Sequence, residues 1–301
     1  MIDIHSHILP MVDDGSQSID ESLRMLINAY EDGTDGIVLT PHLAYEYGFK
    51  NSWSYIQKLF MDFQNIVKQE HIPIQLYLGT EFLMSSVDVF LAHLDDITRM
   101  NSTQYLLMEF FFDVDKTTIL ESIDEVIQHD FIPIIAHPER YDSVQVSSTL
   151  FLKMIEHGAL LQMNKASVFG GYGRMAKETA LEILDNHCYH FVGSDAHGLY
   201  RRTSLMYDSY CFVKDYYGEN YANHKFVNGT PEENDAAILQ ERLLEFATEC
   251  KRWWDLVRFD KAFELVPSLV GRDNQELLYF PIPNSVLSLE PLVEPNSAWP
   301  M

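Results

Sequence analysis

Two histidines separated by one serine, His5 and His7, follow the short apolar run Ile2-Asp3-Ile4 at the start of the chain. Side chains at i and i+2 of a strand share a face, so both imidazoles can reach one ion from the same side. Taken alone, a His-x-His fits two satisfied core histidines equally well, and the metal reading gains only from what recurs further on. Asp14 lies in the first loop, and His42, Glu81, Glu109, His137, Asp195 and His197 each stand where an apolar run gives way to polar residues. Imidazoles and carboxylates without thiolates suit manganese, iron or zinc in a catalytic site. These nine residues exceed what one ion can coordinate, which points to two or three metals bridged by carboxylate. Without cations, Asp14, Glu81, Glu109 and Asp195 gathered on one rim would repel one another.

The elements that must carry these residues repeat. Ser18 with Glu21 three residues on forms a capping box, Leu23, Leu26, Ile27 and Tyr30 follow at helical spacing, and Gly33 stops the helix. The spacing then predicts strands at 36–39, 75–78, 105–108, 132–136, 160–163 and 190–193, with a helical segment before each. Trp53, Ile56, Phe60, Phe63 and Val67 stripe one of these helices, and Ile119, Leu120, Ile123, Val126 and Ile127 another. Seven strand–helix units argue for an α/β fold with a parallel sheet closed into a barrel, an open doubly wound sheet being the alternative. Polar residues at nearly every strand's C-terminal end favour the barrel, which builds its sites there; an open sheet would gather them at one switch point.

Composition narrows the partners. The chain has 301 residues, 47% of them hydrophobic, and no apolar run near bilayer length, so no membrane insertion is expected. Without a basic n-region or apolar h-region at the N-terminus, a cytoplasmic location is expected. A net charge of -24 disfavours nucleic acid as a partner. Cys188, Cys211 and Cys250 are few, odd in number and widely spaced, which fits free thiols rather than a disulfide framework. From about Asn228 the character changes. Thr230-Pro231-Glu232-Glu233 opens a helix running to Trp253-Trp254, and the stretch from Pro281 is too rich in proline for a central strand. Residues 1–228 are therefore read as the barrel and 229–301 as a helical and proline-rich appendage.

Asp3-Ile4-His5-Ser6-His7, Asp13-Asp14-Gly15, Thr40-Pro41-His42, Gly79-Thr80-Glu81, Glu109, His137-Pro138-Glu139-Arg140-Tyr141 and Ser194-Asp195-Ala196-His197 occur in this order. In these pieces the chain up to about 228 resembles the polymerase-and-histidinol-phosphatase family, specifically the bacterial capsule-type protein-tyrosine phosphatases that act on tyrosine autokinases of polysaccharide export. The resemblance implies a distorted, TIM-like (β/α)7 barrel with three divalent metals, manganese foremost and iron or zinc as alternatives. It places His5, His7, Glu81 and Asp195 on the first ion, Glu81, Glu109 and His137 on the second, and Asp14, His42 and His197 on the third. Arg140 and Arg202 match arginines near the phosphate, with Arg201 leaving the second assignment open by one residue.

Water bridging two such metals loses a proton near neutral pH and can attack phosphorus in line, with arginine neutralising the charge that builds. Cysteine chemistry fails on spacing: the cysteine-dependent phosphatases need arginine six residues on, where this chain has Ser194, Tyr217 and Leu256. A histidinol-phosphate or other small phosphomonoester hydrolase is the runner-up. The amidohydrolases share the His-x-His but lack Asp14, His42 and the Asp-x-His. The remaining histidines read as surface or core residues, and Tyr45, Tyr47 and Phe49 as either packing or an aromatic lip. The tail, from Glu241-Arg242-Leu243 through Asn296-Ser297-Ala298-Trp299, resembles the C-terminal end of the SusD/RagB glycan-binding lipoproteins. A glycan-binding module is the non-enzyme alternative, resting on this segment alone.

Overall fold

Strand and helix alternate through residues 1–222, the part this computed structural model describes, positions 98 and 148 apart. In chain order the elements are β1 (Ile2–Ser6), α1 (Ile19–Glu31), β2 (Gly36–Leu39), β3 (His42–Leu43), α2 (Trp53–Gln69), β4 (Gln75–Leu78), β5 (Glu81–Leu83), α3 (Val87–Ala92), β6 (Tyr105–Glu109), α4 (Lys116–Gln128), β7 (Ile132–Ala136), α5 (Asp142–Gln145), α6 (Leu150–Glu156), β8 (Leu160–Asn164), α7 (Arg174–Asp185), β9 (Phe191–Gly193), α8 (Tyr207–Tyr217) and α9 (Glu219–Ala222). Ser18 caps α1 by accepting the Glu21 N–H at 3.1 Å, but the Glu21 carboxylate reaches the Gln17 N–H, one residue before the capping box predicts. Gly33, at φ 95°, ends the turn after the helix as the spacing predicts.

Every strand pair is parallel, in two sheets ordered β1-β2-β4 and β3-β5-β6-β7-β8-β9. The predicted strands at 36–39 and 75–78 are found whole as β2 and β4, and past Thr40-Pro41 and Gly79-Thr80 each is followed by a short second piece, β3 and β5, that joins the second sheet. Pro41 has no N–H to give a ladder. Gly79 N–H to Leu39 O at 2.9 Å and Glu81 N–H to Pro41 O at 3.3 Å carry the pairing across both breaks. At the other edge β1 meets β9 without a continuous ladder: Asp195 N–H donates to His5 O at 2.8 Å, His7 N–H donates to Ala196 O at 2.9 Å, and Ser6 and Ala196 form a single bridge. Seven strand lines thus follow one another with the helices between them, as the repeat predicts.

Two apolar clusters back this arrangement. One packs Met25, Leu26 and Ala29 of α1 and Ile56, Phe63 and Val67 of α2 on Ile37, Leu39 and Leu76; the other packs Ile119, Ile123 and Val126 of α4 and Ile183 of α7 on Leu106, Ile135 and Leu161. Each fully buried aliphatic side chain contributes about 1.5–3 kcal/mol. Ile127, at the edge of the predicted stripe, is 38% exposed. No helix among the described residues is long and apolar enough to cross a membrane. A second unit, His224–Met301, lies outside the described residues, and with it the predicted tail helix and proline-rich stretch.

Candidate metal centre

Strand β1 and the residue just past its end deliver His5 and His7, whose Nε2 atoms lie 3.2 Å apart. Both nitrogens have their proton placed elsewhere. His5 Nδ1–H donates to Gln162 Oε1 at 2.8 Å, an oxygen held in place because the amide nitrogen of Gln162 bonds Met163 O. His7 Nδ1–H donates to Asp13 Oδ2 at 2.8 Å. In the neutral rings the Nε2 lone pairs are therefore left to face inward. Glu81, at the start of β5, sets Oε1 3.1 Å from His5 Nε2 and Oε2 3.1 Å from His7 Nε2, and Asp195 Oδ1 is 3.6 Å from both nitrogens.

Two further clusters adjoin this one through shared residues. His137 Nε2 lies 3.5 Å from Glu81 Oε1 and 3.5 Å from Glu109 Oε1, while His42 Nδ1 is 3.2 Å from Glu81 Oε2. Asp14 Oδ1 lies 3.5 Å from His42 Nε2 and 3.4 Å from His197 Nε2. All nine predicted residues meet on one rim, and Glu81 touches two of the three clusters. Asp14 is the outermost, its side chain 54% exposed. His137 and Asp195 reach inward from left-handed backbone, φ 35° and 51°, a conformation that costs a non-glycine residue about 1–3 kcal/mol and is kept where function needs it.

The electrostatics follow the crowding. Burial pushes His5 and His7 down, but Glu81 and Asp195 at His5, and Asp13 and Glu81 at His7, overcome it and hold both above the usual imidazole range. Burial and the charge of His7 bring His42 down to about 4, and burial with Arg140 brings His137 down to about 4. These two rings are neutral at neutral pH, with lone pairs to offer. Burial pushes Glu109 well above the carboxylate range, reinforced by Glu81 and Asp195. Glu81 is held well below it, because His5 and His42 outweigh its burial.

A divalent cation fits this donor set. Two ligand atoms each about 2.1 Å from an ion and at right angles lie about 3 Å apart, close to the separations found here. Glu81 Oε1, His42 Nδ1 and His197 Nε2 are buried without a hydrogen-bond partner, a cost of about 1–3 kcal/mol each that cations would remove.

The two arginines meet on one carboxylate. Arg140 Nη1 donates to Asp195 Oδ2 at 3.4 Å; Arg202 donates Nη2–H to Asp195 Oδ1 and Nε–H to Asp195 O. Arg202 turns inward to Asp195, whereas Arg201 is exposed. Of the aromatic lip, Phe49 alone stacks on a rim residue, His42, at 5.6 Å. Tyr45 stacks instead on His93 and donates to Asp96, and Tyr47 is 59% exposed. No role is read from the sequence for Asp13, named there only within the Asp13-Asp14-Gly15 motif, nor for Gln162 and Asn164. Asn164 donates to Asp195 Oδ2 at 2.8 Å, and Asp13 also accepts His42 N–H at 2.9 Å. Gln162 and Asn164 stand at i and i+2 on β8, the same signal that singled out His5 and His7.

Residues 1–234 match the family described as capsular polysaccharide synthesis, CpsB/CapC, and residues 211–267 match the SusD family. The second match starts before the predicted boundary and stops short of the chain's end. The tyrosine-protein phosphatase YwqE of Bacillus subtilis is 32% identical over 204 residues, 67% of this chain and 79% of its own length. The tyrosine-protein phosphatase CpsB of Streptococcus agalactiae serotype III is 28% identical over 249 residues, 81% of this chain and 100% of its own length. A solved chain from the crystal structures of YwqE from Bacillus subtilis and CpsB from Streptococcus pneumoniae, described as metal-dependent tyrosine phosphatases, matches with a TM-score of 0.68 and 29% identity. It covers 74% of this chain and 90% of its own.

Proposed function

The chain belongs to the CpsB/CapC family of capsular polysaccharide synthesis, and on that premise we propose that it is a metal-dependent protein-tyrosine phosphatase, a phosphoric monoester hydrolase. The observation that carries this reading is the convergence of nine imidazole and carboxylate residues with two arginines on one rim. His5, His7, Glu81 and Asp195 would hold one divalent ion, Glu81, Glu109 and His137 a second, and Asp14, His42 and His197 a third, with manganese the metal we propose. When bound, such ions supply positive charge for phosphoryl oxygens and an acidified water.

The chain's own residues do the rest. Asp13 and Gln162 keep the Nδ1 protons of His7 and His5, so that Nε2 stays available. Asn164 and Arg202 orient Asp195. The guanidinium groups of Arg140 and Arg202 stand beside Asp195, where a planar, permanently charged fork can take the charge that builds on the transferring phosphoryl group. A phenolate is a good enough leaving group to depart with little proton assistance, which fits a rim that offers donors of charge more than donors of protons. The substrate we propose is phosphotyrosine on a tyrosine autokinase of capsular or exopolysaccharide synthesis, met in the cytoplasm. Residues 1–228 would be the phosphatase unit and 229–301 a segment without a part in the chemistry.

The test is turnover of a phosphotyrosine peptide, p-nitrophenyl phosphate and histidinol phosphate, with manganese and with a chelator. We expect kcat/KM for the peptide well above that for histidinol phosphate, loss of turnover with chelator, and retention of turnover when Cys188, Cys211 and Cys250 are all changed to serine. A preference for histidinol phosphate would move the assignment to a small phosphomonoester hydrolase.

A further inference from the structure

The loop after β8 holds three glycines around one tyrosine, Gly170-Gly171-Tyr172-Gly173. Gly170 and Gly173 have φ of 82° and 94°, where any side chain is strained, and a Cβ on Gly171 would lie 2.9 Å from the Ala166 Cβ. Gly171 N–H donates to Ala166 O at 2.9 Å and Gly173 N–H to Gly170 O at 3.1 Å, closing a tight turn that presents Tyr172 between its glycines. That ring lies against the Arg140 guanidinium, 4.4 Å from its Cζ to the centroid, and Phe112 lies 4.6 Å from the same carbon.

Three loops converge on Arg140 and are tied together. Glu139, fully buried and next to Arg140, accepts from Asn164 N–H at 3.0 Å and from Ser167 Oγ–H at 2.5 Å, which fixes the base of the glycine turn to the arginine's own loop. Phe112 O accepts Asp142 N–H at 2.8 Å, fixing the third loop to the same place. Arg140 itself has little polar support. Its guanidinium makes one side-chain hydrogen bond among the described residues, the 3.4 Å contact to Asp195, although its side chain is only 15% exposed. A guanidinium carries five N–H donors, so most of them are left for an incoming anion while the ring faces fix the plane.

We propose that Tyr172 and Phe112 are positioning residues that clamp the Arg140 guanidinium in the plane from which it meets the transferring phosphoryl group. The clamp acts through ring faces rather than through the Tyr172 hydroxyl, and it rests on the phosphatase reading above.

The experiment is a double-mutant cycle on p-nitrophenyl phosphate turnover with manganese, using Tyr172→Leu, Tyr172→Phe, Arg140→Ala and the Arg140→Ala/Tyr172→Leu pair. Manganese per chain is measured for each protein. We expect Tyr172→Leu to lower kcat about tenfold with KM changed less than about twofold, and Tyr172→Phe to stay within about twofold of wild type. In the Arg140→Ala background Tyr172→Leu should cost nothing further. Phe112→Leu, on a separate loop, should repeat the pattern and guards against a folding defect in the glycine turn. Equal losses from Tyr172→Leu with and without Arg140, a Phe variant as poor as the Leu variant, or a fall in bound manganese would each overturn the clamp. An inert wild-type protein would remove the phosphatase reading as well, so the two failures are distinguishable.

Discussion

Asp13 serves two histidines from one carboxylate: it accepts His7 Nδ1–H at 2.8 Å and the His42 backbone N–H at 2.9 Å. Outer partners of this kind fix the ligand's tautomer, and their loss typically costs 10–100-fold in metal affinity. Asp13→Asn should therefore weaken manganese binding by about that factor, read by competition with a chelator of known affinity. If Arg140 and Arg202 take the charge of the transferring group as proposed, Arg140→Ala and Arg202→Ala should each lower kcat by about a hundredfold while bound metal is unchanged. Metal analysis beside steady-state kinetics checks both halves of that statement. The imidazoles also set a pH dependence. His5 and His7 sit above their ordinary pKa because nearby carboxylates outweigh burial, so the metal-free protein keeps protons there to higher pH than free histidine does. A metal must displace those protons, so loading should weaken as pH falls through neutrality and should release protons. Calorimetry in buffers of different ionisation enthalpy reads this directly, and an enthalpy independent of buffer would contradict it.

Among the elements, β1 and β9 come close enough that side-chain volume decides the site. A Cβ on Gly193 would lie 2.7 Å from the His5 Cβ and 2.8 Å from the Gln162 amide nitrogen, the group whose oxygen holds the His5 tautomer. Gly15 is tighter still, with a Cβ placed 2.1 Å from His7 O. Overpacking of this kind costs typically about 1–3 kcal/mol. Gly193→Ala should show that loss in urea denaturation of the metal-free protein, together with reduced metal content; unchanged metal and stability would mean the seam is softer than its contacts imply. The breaks at Thr40-Pro41 and Gly79-Thr80 have a related effect, since β3 and β5 carry His42 and Glu81 into register as partners in the second sheet.

For the whole molecule, every rim residue lies before position 203, and the CpsB/CapC match ends at 234. A chain ending at Asn228 should therefore keep its manganese and its turnover within about twofold, as a tail outside the chemistry would allow. Folded but inactive protein would show that the later residues take part. The charge of -24 gives this prediction a second edge. A rim of carboxylates in an acidic protein draws cations toward it, so metal loading should slow as ionic strength rises.

What the amino-acid order determined by itself is the part governed by short-range geometry. A period of two places His5 and His7 on one face, and recurring strand–helix units bring seven strand ends, with their histidines and carboxylates, to one rim. Those facts depend on neighbours along the chain and can be read there. Tertiary structure alone decided the roles of residues that meet across long separations. Ser194 N–H donates to Asp3, 191 residues away, and Gln162 selects the tautomer of His5 from 157 residues away. Arg202 rather than Arg201 turns inward because a left-handed residue, φ 48°, closes the loop through His197 N–H to Arg202 O. Tyr172 finds Arg140 only because a glycine turn and a buried Glu139 bring two loops together. No local period encodes such meetings, since they follow from how the loops fold back after the strands are in place.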